Sequence, residues 1–254
     1  MNRIQSIFQT RSEKVIPYLT AGYPRKEDTA SLVLAAESAG VAMVELGVPF
    51  SDPLADGPVI QASNQIAIEN GVTISWILET VSEIRKQSEI PIALMGYINP
   101  IIKYGLNDFI LDCNNSGIDG LIIPDLPPEE AEDFVEKSNG NGISPILLVA
   151  PNTPNKRIIK ISKLSGDLIY CVSSLGITGS QIADNMKLKS YLSRVEKFSV
   201  CPFVVGFGVS NNSDINIINK MAHGAVVGSA IIKEMENNNN PVGFVKAYIK
   251  VLMS

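Results

Sequence analysis

Short apolar runs rich in β-branched residues recur along the chain, each closed by a Gly, Pro, Asn or Asp break and followed by a stretch with helical spacing. The runs are Val15 to Leu19, Met43 to Gly47, Ile92 to Gly96, Gly120 to Ile123, Pro145 to Val149, Leu168 to Val172, Phe203 to Gly206 and Ala225 to Val227. Amphipathic stretches lie between them, among them Thr29 to Ala39, Ile74 to Lys86, Pro128 to Ser138, Lys156 to Leu164 and Asp214 to Met221. Near-continuous apolar strands imply burial on both faces, and right-handed crossovers wind such units into a closed barrel. The expected class is α/β: a single (β/α)8 TIM barrel over residues 1–254, with a doubly wound open sheet as the alternative. No Gly/Ser/Pro-rich linker divides the chain, so one domain is expected. Ile4, Ile7 and Phe8 at helical spacing predict an extra N-terminal helix plugging the N-terminal mouth of the barrel.

Composition adds limits. With 45% hydrophobic and 19% charged residues, the chain has ample core material. A net charge of −5 without a basic run argues against nucleic acid as a partner. Cys113, Cys171 and Cys201 are widely spaced and lack metal-ligand spacing, which predicts no disulfide framework, no zinc site and a reducing compartment. Met1 to Thr10 carries no apolar signal core and no stretch reaches bilayer length, so the expected location is the cytoplasm, or the plastid stroma if organelle-encoded. Asn237 to Asn240, before Pro241, reads as an exposed loop.

In a barrel, chemistry belongs at the C-terminal ends of the strands and in the loops after them. The run from Val44 to Gly57, VELGVPFSDPLADG, closes the second strand and opens its loop. Period-2 alternation turns Val44, Leu46 and Val48 toward the helices and leaves Met43, Glu45 and Gly47 pointing inward. Glu45 is therefore expected to be buried. A carboxylate without water or a cation has a raised pKa and suits proton transfer; a structural ion pair is the alternative. Asp56 follows in a loop stiffened by Pro49, Pro53 and Pro58, with Asp52 as a competing acid, and spacing leaves the choice open because Asp before Gly or Pro also forms turns. The loops Gly176 to Gly179, Gly206 to Ser210, and Gly228-Ser229 suit a phosphate, since glycine admits close backbone approach and a following helix offers free N–H groups. His223 and Trp76 read as structural.

At these residues the sequence resembles the tryptophan synthase alpha chain family. The likeness runs over nearly the whole chain, including Pro17 to Pro24, Leu94 to Tyr97 and Ile123 to Pro127. The resemblance implies retro-aldol cleavage of indole-3-glycerol phosphate to indole and glyceraldehyde 3-phosphate, without metal or organic cofactor. It implies a tryptophan synthase beta chain as partner in an alpha2beta2 heterotetramer, docked near Pro53-Leu54 and Pro127-Pro128. On this pattern Glu45 and Asp56 are catalytic, and Asp56 accepts the indole N–H. Tyr18, Tyr97, Ile122 and Leu148 line an indole pocket with Asp125 at its wall, although the apolar ones are equally ordinary core. Tyr170 meets the glycerol moiety, Thr178 bonds the second-loop aspartate, and Gly179, Gly208, Gly228 and Ser229 belong to the phosphate loops. One departure stands out: the family carries an arginine near the Thr-Gly of the sixth loop, where this chain has Leu175, Ser180 and Gln181. Phosphate binding is then expected to rely on backbone and hydroxyl groups.

The same residues admit a stand-alone indole-releasing lyase or a noncatalytic binding subunit, though two retained acids oppose the latter. A Schiff-base aldolase is disfavoured, because no lysine stands at a strand end.

Overall fold

The computed structural model describes residues 2–9, 12–173, 185–206, 208–236 and 238–254. Eight parallel strands close on themselves in chain order. They are β1 (Val15–Thr20), β2 (Val44–Gly47), β3 (Ile92–Met95), β4 (Gly120–Ile122), β5 (Ser144–Val149), β6 (Ile169–Val172), β7 (Phe203–Gly206) and β8 (Ala225–Val227). Each apolar run of the sequence became one strand, and the open-sheet alternative falls because β1 pairs with both β2 and β8.

Between and after the strands lie α1 (Arg3–Ile7), α2 (Asp28–Ser38), α3 (Pro58–Glu69), α4 (Ile74–Arg85), α5 (Ile98–Tyr104) and α6 (Leu106–Ser116). The second half carries α7 (Glu132–Gly140), α8 (Asn155–Ser165), α9 (Asn185–Phe198), α10 (Asn212–Asn219), α11 (Ser229–Met235) and α12 (Pro241–Leu252). Helix ends follow local chemistry. Thr73 caps α4 by accepting from Trp76 N, and Asn211 caps α10 by accepting from Asp214 N. Asn239 and Asn240 are exposed, and Asn240 has a task, since it caps α12 ahead of Pro241. The helix expected from Pro128 starts later, at Glu132, because Pro127 to Glu130 first closes a turn. No helix among the described residues is long and apolar enough to cross a membrane.

Inside the barrel, side-chain size alternates between neighbouring strands. Tyr18 on β1 lies over Gly47 on β2, and Tyr170 on β6 lies over Gly206 on β7, with no room for a Cβ at either glycine. Each phenol therefore reaches across the barrel interior toward the C-terminal ends of the strands. The opposite mouth is sealed by the expected N-terminal helix, which ends at Ile7 and leaves Phe8 as its C-cap. Ile4 is fully buried against Gly120, which stabilises by about 1.5 to 3 kcal/mol. Arg3 Nη1 pairs with Asp119 Oδ1 at 3.0 Å, and Asn2 Nδ2 donates to the Asp119 carbonyl at 3.2 Å. With α1 over this end, the barrel interior is left open at the C-terminal ends of the strands.

Candidate active site

β2 delivers Glu45 to the interior, where it is 1% exposed, as the alternation required. Neither carboxylate oxygen has a hydrogen-bond partner among the described residues. Burial pushes the carboxyl up to about 8, and the charge of Asp56 adds to the effect. At neutral pH Glu45 is thus mostly protonated and holds a proton that no described group competes for. The ion-pair alternative finds no support: no salt bridge to Glu45 exists among the described residues.

The loop after β2 decides between its two aspartates. Asp52 is exposed and accepts from the Ser51 hydroxyl at 2.6 Å. Asp56 is 5% exposed, and its loop is folded by the Asp56 N–H donating to Pro53 O at 2.9 Å. Tyr97 Oη, at the N-cap of α5, donates to Asp56 Oδ2 at 3.0 Å. Burial raises the Asp56 carboxyl to about 6, against hydrogen bonds from Tyr97 and Asn64 that lower it. Two neighbouring carboxyls thus sit in different protonation states at pH 7, the pattern that separates an acid from an electrostatic partner.

A cleft of about 400 Å³, counting its open mouth, brings Tyr18, Glu45, Asp56, Tyr170, Gly208, Gly228 and Ser229 together. Gly208 has φ +80°, a left-handed conformation that suits glycine, and Gly228 caps α11 so that Ser229 opens its first turn. One wall thus offers glycine backbone, a hydroxyl and helix N–H groups facing two carboxyls. Burial raises the phenols of Tyr18 and Tyr170, with Asp56 and Glu45 contributing, so both stay neutral donors.

Other expected residues fall elsewhere. Tyr97 reaches the site through Asp56, its ring 5.4 Å from that of Phe50. Asp125 is exposed at the rim and accepts from Ile98 N at 3.0 Å, capping the start of α5. Ile122 is buried and Leu148 half-buried, and neither lines the cleft. Thr178 and Gly179, with Leu175, Ser180 and Gln181, lie outside the described residues. His223 accepts from Phe203 N through Nδ1 at 3.3 Å, a structural role. Trp76 stacks under Lys26 Nζ at 4.9 Å. The apolar surface near loop two is Leu54, 87% exposed, with Pro127, while Pro53 and Pro128 are buried and contribute nothing to it.

Val209, within the expected Gly206 to Ser210 loop, also lines the cleft, as do Ile60, Met95 and Val226, which were not anticipated. Val226 and Met95 stand on strands, where the alternation used for Glu45 would have found them. Ile60 stands on α3, which has no strong apolar stripe to announce its orientation.

Fold and site define the class: a (β/α)8-barrel enzyme with a split acid pair at the strand ends, opposite a glycine-lined wall fit for an anion. The family described as tryptophan synthase alpha chain matches residues 4–251, and this chain belongs to that family. The tryptophan synthase alpha chain of Petrotoga mobilis is 44% identical, covering 98% of this chain and 96% of its own length. That of Christiangramia forsetii is 42% identical over 99% of this chain and all of its own. Among solved structures, the alpha subunit from Legionella pneumophila superposes with a TM-score of 0.92 at 33% identity, covering 99% of this chain and 97% of its own. A chain of the Pyrococcus furiosus a2b2 complex gives 0.88 at 36% identity, covering 96% of this chain and 98% of its own.

Proposed function

We propose that this chain cleaves indole-3-glycerol phosphate to indole and glyceraldehyde 3-phosphate as the alpha subunit of a tryptophan synthase. The observation that carries the reading is Glu45, a buried carboxyl without a hydrogen-bond partner among the described residues, lining the same cleft as a second acid. Glu45 gives its proton to indole C3, and positive charge develops toward the ring nitrogen. Asp56, ionised, accepts the indole N–H and stabilises that charge. The Glu45 carboxylate then takes the proton of the side-chain hydroxyl as the carbon–carbon bond breaks. The bonding pair returns to the ring, the hydroxyl carbon becomes the aldehyde, and Glu45 ends protonated as it began. Because one residue supplies both proton transfers, each worth roughly 10² to 10⁴ in rate, the step needs no metal or organic cofactor.

Gly208, Gly228 and Ser229 hold the phosphate through backbone N–H groups and a hydroxyl, while the family pattern assigns Gly179 to the same phosphate loops and Thr178 to the second-loop aspartate. Tyr18 and Tyr170 flank the substrate, and Asp125 keeps the rim in place. The beta chain docks on the strand-end face, where Leu54 and Ile102 stand exposed. The chain acts as one domain in a reducing compartment, the cytoplasm or plastid stroma, in keeping with three free cysteines.

The test is indole release by purified wild type and Glu45→Gln, with and without a tryptophan synthase beta chain. Slow cleavage alone, stimulation by the partner and near-abolition in the variant are expected. Fast cleavage without the partner would favour a stand-alone lyase, and no indole under any condition would end the catalytic assignment.

A further inference from the structure

Asp56 is held from two directions, and the reading above uses neither hold. Its main chain is tied by its own N–H to Pro53 O at 2.9 Å and by Gln61 Nε2 donating to its carbonyl at 2.8 Å. Its carboxylate is tied separately. Tyr97 Oη donates to Oδ2 at 3.0 Å while accepting the Ala55 N–H at 3.1 Å, so one phenol reads both the aspartate and its neighbour. Asn64, on α3, is 1% exposed and acts on the same carboxyl, lowering it against the effect of burial. Its Oδ1 has no hydrogen-bond partner among the described residues. Burying an amide with half its capacity unmet is costly, and packing alone would favour an apolar side chain there.

We propose that Tyr97 and Asn64 are positioning residues for Asp56, two donors from different elements that aim its carboxylate into the cleft and keep it charged. The proposal rests on the role given to Asp56 above. It moves Tyr97 from pocket wall to support, and it gives Asn64 a task that its place in the sequence does not announce. Hydrogen bonds to a carboxylate favour its charged form, and here they oppose the burial that would neutralise it. The titratable groups facing Asp56 are Glu45 on β2, Tyr18 on β1, Tyr97 before α5 and Tyr170 on β6. The three phenols are raised by burial and stay neutral throughout, leaving Glu45 as the one other group among the described residues that titrates nearby.

The experiment follows the Asp56 carboxyl directly. Full-length wild type, Tyr97→Phe and Asn64→Leu are labelled with carboxyl-¹³C aspartate and titrated by NMR, the Asp56 signal being identified by its loss in Asp56→Asn. Removing either donor should raise the Asp56 midpoint by about one pH unit, and removing both should raise it further. The acidic limb of kcat/KM for indole release should move up by the same amount, while the alkaline limb, set by Glu45, stays. A purely structural role would lower stability and leave the midpoint where it was. An unchanged midpoint in both variants overturns the proposal whatever happens to activity. A shifted midpoint in a chain that never releases indole supports the positioning role and places the failure on the assigned reaction. If Asn64→Leu does not fold, Tyr97→Phe, which keeps its ring, decides the question alone.

Discussion

The hydroxyl of Tyr18 occupies the space above Gly47 where any other residue would place its Cβ. This strand pair sets the floor of the cleft: Gly47 is two residues past Glu45, and Tyr18 is in register with Glu45 across the β1–β2 ladder. Gly47→Ala should therefore push Tyr18 off its rotamer, destabilise the fold by about 1 to 3 kcal/mol and lower indole release at least tenfold. Tyr18→Leu in the same chain removes the clash, so urea denaturation of the double variant should show less loss than the single effects sum to. Strict additivity would mean that the two side chains do not share this space.

The acid pair predicts an unusual stability profile. Glu45 has a folded pKa raised from 4.5 to about 8, so the folded chain holds this proton where the unfolded chain has released it. Its contribution to stability is fully present below about 4.5 and is lost as pH rises through about 8. Asp56 adds the same trend between 3.8 and about 6. Glu45→Gln, neutral at every pH, should be more stable than wild type at pH 9 by a few kcal/mol, with the advantage gone near pH 5. Urea midpoints at pH 5, 7 and 9 for both proteins measure this, and a constant offset would mean that folded Glu45 binds no more protons than unfolded Glu45 over this range, so that burial does not raise it.

The kinetic profile has matching limbs. Indole release with Asp56 ionised and Glu45 protonated should peak between about 6 and about 8. Asp56→Asn should cost roughly 10² or more in kcat/KM and flatten the acidic limb, whereas Asp52→Asn should remain within about twofold of wild type. Equal losses in the two variants would make the loop's fold, and not the Asp56 charge, the sensitive quantity.

That contrast also marks where the sequence stops being legible. Strands declared themselves because burial on both faces leaves an unbroken apolar run, and Glu45 declared itself because a lone charge inside such a run has to face inward. Asp56 and Asp52 carry the same turn chemistry, and only the folded loop buries one of them. Tyr97 and Asn64 meet Asp56 through the close approach of separate elements, which no local period encodes. Asp125, which the family pattern puts near the pocket wall, accepts the Ile98 N–H through one carboxylate oxygen, a link between separate loops that no local pattern announces.

Asp119 was invisible for a related reason: Gly117-Ile118-Asp119-Gly120 reads as a turn acid leading into a strand. In the fold it is 2% exposed at the closed mouth of the barrel, accepting from Arg85 Nη2 at 2.8 Å, Arg3 Nη1 at 3.0 Å and Ile92 N at 2.8 Å. One carboxylate thereby joins α1, α4 and β3, and its loss strands a largely buried Arg85. Asp119→Ala should cost about 3 to 5 kcal/mol, because an uncompensated charge stays behind. Indole release per folded molecule should hardly change, since catalysis is assigned to the opposite end of the barrel. Measuring the urea midpoint and kcat on the same preparation separates the two effects. A fall in kcat with stability intact would mean that the closed mouth communicates with the acid pair, and the division between a stabilising end and a chemical end would not hold for this barrel.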